Sequence, residues 1–397
     1  MSPIHCESRA IDVARARDET PGCANVIHFN NAGASLMPRP VLDTVLDHLR
    51  LEGSIGGYEA ADRADPALEA VYDSLGKLLG ADRAEIAVVD SATRAWDMAF
   101  YSLRLGPGDR ILTSNVEYAS NYIAFLQRQR RSEAAIEVVP SDETGQVSVK
   151  ALEGMIDSHV KLISLTWIPT NGGLVNPAAA VGAIARRAGV PYLLDACQAV
   201  GQMPVDVDAL GCDMLSAAGR KFLRGPRAIG FLYVRRAFME QLEPAVLDMH
   251  SATWVSRGKY EVRNDARRFE SFETNAASKL GLGAAVDYAM GWGMAAIQER
   301  AWSLAAILRE KLAAVPGVTV RDIGAEKCAI VTFTAKGGTA AEIKSALARD
   351  RINVTVTPAA STFLDMEARG LTAMVRASVH YYNTEEEIDR FCAALTN

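Results

Sequence analysis

Residues 190–234 read VPYLLDACQAVGQMPVDVDALGCDMLSAAGRKFLRGPRAIGFLYV, and they set an acid, Asp195, and a lysine, Lys221, at the ends of successive strands of buried character. A lysine attacks an aldehyde only as the free amine, so its surroundings must weaken its hold on the proton. The small and apolar residues around Lys221 do that. Pyridoxal phosphate is such an aldehyde. Its ring draws electrons only while the pyridine nitrogen stays protonated, and a carboxylate placed like Asp195, at the end of Pro-Tyr-Leu-Leu-Asp, keeps that proton in place. The pair predicts a pyridoxal phosphate site.

Outward from this stretch, residues 40–235 alternate helix-like segments (41–51, 66–79, 93–103, 119–131, 177–188) with short apolar runs (86–89, 110–113, 135–139, 162–166, 192–194, 230–234). Such alternation predicts an α/β fold with a mostly parallel sheet covered by helices on both faces. Ligands of open sheets sit at the carboxyl ends of the strands, where Asp195 and Lys221 fall. Beyond about residue 275 the texture changes. One long helical stretch, 275–313, precedes apolar runs at 318–322, 329–334, 353–357 and 374–378 and helices at 340–350 and 385–395, as in a smaller α+β domain. The expected division is an N-terminal segment 1–30, a large cofactor-binding domain 31–274 and a small C-terminal domain 275–397.

Asp195-Ala-Cys-Gln198, Gly219-Arg-Lys221 and Gly225-Pro-Arg-Ala-Ile-Gly230 resemble the class V aminotransferase and cysteine desulfurase family, over nearly the whole chain. The resemblance implies the pyridoxal-phosphate-dependent transferase fold of type I. It also implies a homodimer, with the N-terminal segment packed on the small domain and the site between the domains near the dimer interface. Gly56-Gly-Tyr-Glu-Ala-Ala61, Arg220-Lys-Phe-Leu-Arg-Gly-Pro226 and Glu273-Thr-Asn275 look closest to carbon–sulfur lyases of the ergothioneine-pathway type.

Within that resemblance, Lys221 is the lysine that holds the cofactor and shuttles the substrate α-proton. Gln198 resembles the family's donor to the cofactor's phenolic oxygen. The phosphate needs backbone donors at a helix start, and Asp90-Ser-Ala-Thr93 supplies them: the amides around Ala92, with the hydroxyl of Ser91 or Thr93 turned inward. Ala218 stands where desulfurases commonly carry a hydroxyl, which shifts phosphate contacts toward Arg220 and, from a second subunit, Thr274 or Asn275. Tyr118 falls where the family stacks an aromatic ring on the cofactor, a contact worth about 0.5–1.5 kcal/mol.

Arg376, in the otherwise apolar Val375-Arg-Ala-Ser-Val-His380, is the candidate for the substrate carboxylate, because a guanidinium grips a carboxylate with two parallel bonds and fixes its orientation. Asn31 and Ala32 border the same carboxylate, and Thr170 or Asn171 the cofactor edge, although all of these suit turns as well. His250 and Tyr58 are candidates for the substrate pocket. Trp254 and His380 also fit its wall, with no role assigned by their spacing.

Composition limits the partners. The 397 residues carry a net charge of −6 with no block of five like charges, and 49% are hydrophobic, which gives no nucleic-acid or membrane footprint. The charged N-terminus lacks the apolar stretch of a secretory signal, so a cytoplasmic location is expected. Six cysteines and six histidines are scattered, with no Cys-x-x-Cys pair. The cysteines are read as reduced thiols, and no protein-bound metal is expected. The expected ligand is a small amino acid.

Desulfurases that resemble this chain carry a catalytic cysteine in a loop ahead of the carboxylate-binding arginine. Residues 354–363 here contain none, and the nearest preceding cysteine is Cys328. Transfer of sulfur to a protein thiol is therefore not expected. The expected reaction is β-elimination from a cysteine S-conjugate or its sulfoxide, releasing thiol or sulfenate, pyruvate and ammonia. Alternatives using the same residues are oxygen-dependent decarboxylation with deamination, transamination and epimerisation; a non-catalytic regulatory role lies further off.

Overall fold

The computed structural model describes residues 10–396. Seven strands form the main sheet, in the order Ile86–Val89, Gly230–Val234, Met214–Ala218, Tyr192–Asp195, Val160–Thr166, Arg110–Ser114, Ala135–Val139. Most are buried along their whole length, as apolar runs covered by helices on both faces require. Six run in the same direction; Gly230–Val234, antiparallel to both its neighbours, is the one reversal in a sheet otherwise as expected. Asp195 ends its strand opposite Ser216 of the next, so Lys221, three residues past Ala218, emerges at the same carboxyl edge.

The helical stretch expected over 275–313 is two helices, Ala276–Trp292 and Met294–Ala314, bent by 80°. The break is Gly293, whose φ of +87° suits a residue without a side chain. The first helix packs against Arg39–Ile55 and Gly57–Leu79; the second lies against Glu385–Ala394. No single helix among the described residues is long and apolar enough to cross a membrane.

A second, four-stranded antiparallel sheet runs Val318–Val320, Ile330–Ala335, Ala373–Ser378, Thr355–Pro358. Its third strand carries Arg376. The N-terminal chain lies along this part: Ile27 pairs with Ile352, and Arg17 bridges Glu387 at 2.8 Å. Residues 1–9 of the expected N-terminal segment lie outside the described residues. Elements not expected from the sequence include the exposed hairpin Ala252–Ser256 with Lys259–Val262 and the short helices Val13–Asp18, Val149–Met155 and Phe363–Ala368.

Candidate active site

Lys221 follows a strand of Met-Leu-Ser-Ala-Ala, all buried, and its side chain lines a cavity at the sheet's carboxyl edge together with Asp195. Burial lowers the proton affinity of its amine, against the opposing pull of Cys197 and Asp195; Arg220 and Arg376 lower it further. Among the described residues the amine has no hydrogen-bond or ion-pair partner. Asp195 is fixed on both oxygens: Oδ1 accepts from the Cys197 amide at 2.9 Å and Oδ2 from Asn121 Nδ2 at 3.1 Å.

The helix Ala92–Tyr101 opens onto this cavity. Ser91 caps it, its hydroxyl accepting from the Arg94 amide at 3.1 Å, a bond worth about 1 kcal/mol to the helix. The amides of Ala92 and Thr93 precede the first intrahelical bond and remain free to donate to an anion. The turn sits hard against Gly230, where a Cβ would meet Ala92 N and Ser91 C at 2.7 Å. Glycine at that strand start therefore lets the helix end approach the sheet. Arg220 lines the same cavity and donates from Nη1 to the Gly33 carbonyl.

On the opposite side Arg376 is 6% exposed. Its Nη1 donates to the Thr170 carbonyl at 2.9 Å and to the Thr170 hydroxyl at 2.6 Å, while Nη2 has only a 3.5 Å contact with Asn30 Oδ1 and Nε is buried without a partner. Burial, then the nearby Arg220, pushes its guanidinium down to about 10. Among the described residues no acidic side chain bonds it. A buried, incompletely satisfied guanidinium costs the fold stability unless an anion arrives to meet it. Gln198 joins the halves of the site: Nε2 donates to the Ala32 carbonyl at 3.1 Å, reaches the Thr170 hydroxyl at 3.5 Å, and Oε1 is buried without a partner.

The family model for class-V aminotransferases matches residues 27–391. The chain belongs to this family. It is similar to a probable cysteine desulfurase of Xylella fastidiosa, 30% identical over 93% of this chain and 90% of the relative. Among solved structures it is similar to an apo cysteine desulfurase from Thermococcus onnurineus, with a TM-score of 0.90, 24% identity and coverage of 96% and 97% of the two chains. It is also similar to a cystine C–S lyase solved with its product cysteine persulfide, with a TM-score of 0.85, 23% identity and coverage of 95% and 99%. The class-V chain is thus a pyridoxal-phosphate-dependent enzyme, a lyase by its relatives, and its residues fit the cofactor. The unpaired amine of Lys221, the free amides at Ala92 and Thr93 and the unpartnered Gln198 Oε1 all open where such a group would lie.

The structure brings Lys221, Asp195, Gln198, Tyr118, Ser91, Ala92, Thr93, Thr170 and Arg220 of this class-V enzyme to one cavity. Arg376 and the Ala32 carbonyl border it through Thr170 and Gln198. The remaining candidates lie elsewhere in the chain. The Asn31 side chain is consumed internally, donating to the Ser378 carbonyl at 2.7 Å and accepting from the Tyr382 hydroxyl at 2.5 Å, so Asn30 is the neighbour that faces Arg376. His250 turns away to Glu270, at 3.0 Å. Tyr58, Thr274 and Asn275 line an adjoining cavity that shares Asp90, Ala228 and Ile229 with the first. Asn275 also caps a helix, accepting from the Ser278 amide at 2.7 Å. His380 is a core residue, its Nε2 donating to the Phe222 carbonyl at 2.7 Å, and Trp254 is exposed on the hairpin.

Residues not singled out from sequence complete the site. Thr166 ends the strand beside Asp195 in direct register. Glu117 lies just before the helix Ala119–Ser132 and Asn121 in its first turn, where Asn121 Nδ2 donates to Glu117 Oε1 at 2.8 Å; helical spacing does not reach back to Glu117, so the sequence held no signal for the pair.

Proposed function

We propose that this enzyme performs β-elimination on a cysteine S-conjugate or its sulfoxide. Water is consumed, and thiol or sulfenate, pyruvate and ammonia are released. The observation that carries the reading is the segment ahead of Arg376. It holds no cysteine and is built as a strand, Thr355–Pro358, hydrogen-bonded to Ala373–Ser378, followed by the helix Phe363–Ala368. Thr355 stands directly opposite Arg376. No thiol lies there to attack the substrate sulfur.

The described cysteines elsewhere do not fill the gap. Cys197 lines the cavity, but burial, and secondarily Asp195, pushes its thiol far above the ordinary range, so it stays protonated and a poor nucleophile. Cys328 is fully buried and pushed up to about 12 by that burial.

When bound, pyridoxal phosphate supplies the electron sink for charge developing at the substrate α-carbon. The chain's own residues do the rest. Arg376 grips the α-carboxylate and fixes which α-carbon bond faces the ring. Lys221 would take the α-proton, and the electron pair left at the α-carbon would expel the sulfur substituent from the β-carbon. Asp195 would keep the pyridine nitrogen protonated, and the helix start at Ala92 and Thr93 would hold the phosphate. Tyr118, at the turn into its helix and lining the same cavity, would cover the ring.

The same reading takes the substrate to be a free amino acid and the enzyme to be a homodimer in which Thr274 and Asn275 reach the neighbouring subunit's phosphate. The exposed Leu49, Tyr58 and Phe272 around the second cavity support that interface. The finer likeness to ergothioneine-pathway lyases points to a sulfur-containing small metabolite as substrate.

The test is product analysis with cofactor-loaded enzyme in air, given a panel of cysteine S-conjugates, their sulfoxides, cystine and free cysteine. Thiol or sulfenate with stoichiometric pyruvate is expected. Carbon dioxide with an aldehyde replaces the reading with oxidative decarboxylation, and exchange of the α-proton without elimination replaces it with epimerisation or transamination.

A further inference from the structure

The carboxylate of Glu117 lies behind Asp195, 3% exposed, and no step above uses it. Its Oε1 accepts from the Thr166 hydroxyl at 2.5 Å, Asn121 Nδ2 at 2.8 Å and the Tyr118 amide at 2.9 Å; its Oε2 accepts from the Thr113 hydroxyl at 2.7 Å. Among the described residues no cation bonds it. The same Asn121 nitrogen donates to Asp195 Oδ2 at 3.1 Å. One amide group thus spends its two hydrogens on two carboxylates, one facing the cavity and one hidden behind it.

We infer that Glu117, acting through Asn121, is a positioning residue for Asp195: it sets how tightly Asp195 holds the proton on the cofactor's pyridine nitrogen. The inference rests on the reading of Asp195 as the partner of that nitrogen. Two effects combine. The amide of Asn121 stops the Asp195 carboxylate from turning away, and a second negative charge in a poorly screened interior makes proton loss from the nitrogen costlier. Burial, and with it the charge of Asp195, pushes the Glu117 carboxyl above its ordinary range, opposed by the donors from Thr166, Thr113 and Asn121. Tyr192 and Cys197 are kept protonated by burial, and Lys221, on which Asp195 acts directly, faces the pair from the cavity side with Arg220.

Glu117→Gln isolates the charge. The new amide oxygen can keep the donors of Oε1, and the new amide nitrogen can donate to the Thr113 hydroxyl, which accepts as readily as it donates. The measurement is the nitrogen-15 resonance of the enzyme loaded with ring-labelled pyridoxal phosphate, followed against pH. In Glu117→Gln the midpoint for proton loss from the ring nitrogen is expected about one pH unit lower than in the parent enzyme. Asn121→Ala, which retains Glu117 but severs the bridge, is expected to lower it too, and serves where Glu117→Gln does not fold. Unchanged midpoints in both variants, with a lowered midpoint in Asp195→Asn, overturn the inference and leave the reading of Asp195 standing. An unchanged midpoint in Asp195→Asn overturns both.

Discussion

Asn171 donates from Nδ2 to Asp365 at 2.8 Å, tying the turn that carries Thr170 to the helix that follows the cysteine-free segment. Asp365 also accepts from Arg369 at 3.1 Å and is 2% exposed. Because Thr170 is the residue on which Arg376 rests, this bond braces the carboxylate site from behind. Asn171→Ala removes a buried donor and is expected to cost about 1–3 kcal/mol in urea unfolding. It is also expected to raise KM for the amino acid more than it lowers kcat, since a loosened guanidinium weakens ground-state binding first. A stability loss with unchanged KM would confine the bond to the fold.

Lys221 is predicted to be indispensable in two separable ways. Lys221→Ala is expected to abolish the visible absorbance of the lysine-linked cofactor and to lower turnover at least 10²–10⁴-fold, roughly the range for loss of a general acid–base group. The pH dependence of cofactor loading gives a second reading. The reactive form is the free amine, and burial lowers its proton affinity from the ordinary lysine value of 10.5. The loading rate should therefore rise with pH and level off below 10.5. A rise that continues to 10.5 or beyond would mean the amine is not desolvated before the cofactor arrives.

His380 is predicted to contribute an acid limb to stability. Its Nδ1 accepts from the Tyr381 amide at 2.9 Å while Nε2 donates to the Phe222 carbonyl, so a second proton would face a donor. Burial, then the charge of Arg224, pushes it from 6.5 down to about 3. The unfolded chain thus takes up the proton at a higher pH than the native one. Stability is full above about 6.5, and the share from His380 is lost as pH falls from there toward 3, by about 1.4 kcal/mol per pH unit. Urea unfolding of the parent and His380→Gln between pH 7 and 4 checks this. The variant should show a slope shallower by about one proton; equal slopes would mean that the ring is protonated in the native state.

The strands of the main sheet were legible because each is a short apolar run closed by a turn, and the lysine and acid were legible because both sit where such runs end. Gly230–Val234 looks no different from the parallel strands of the sheet, so its reversal is set by the connection after Lys221 and not by its own composition. The helix break at Gly293 was hidden because glycine also occurs inside the preceding helix, at Gly281 and Gly283, where close packing against Pro226, Val45 and Val71 explains it. Asn31 and Asn30 are indistinguishable in sequence; Tyr382, 351 positions away, decides which of them is free by taking the oxygen of Asn31. Glu117 and Asn121 show the same limit. Glu117 precedes the extended cap of its helix, so no helical period links it to Asn121, and only the packing of strand ends shows that Asp195 stands on the other side of the amide.

The last prediction concerns the second subunit. Tyr58 is 73% exposed, Phe272 49% and Leu49 47%, and all three surround the cavity that shares Asp90, Ala228 and Ile229 with the cofactor site. Apolar groups gathered at the mouth of a site are costly to leave in water, and a second copy of the chain would cover them. Light scattering should give twice the mass of the 397-residue chain for the parent enzyme. Phe272→Asp, which sets a charge in that surface, should shift the mass toward one chain and speed loss of the cofactor on dialysis, because Thr274 and Asn275 would leave with the neighbour. A parent enzyme that is monomeric yet retains its cofactor would remove Thr274 and Asn275 from the phosphate site and leave that anchor to Ala92, Thr93 and Arg220 alone.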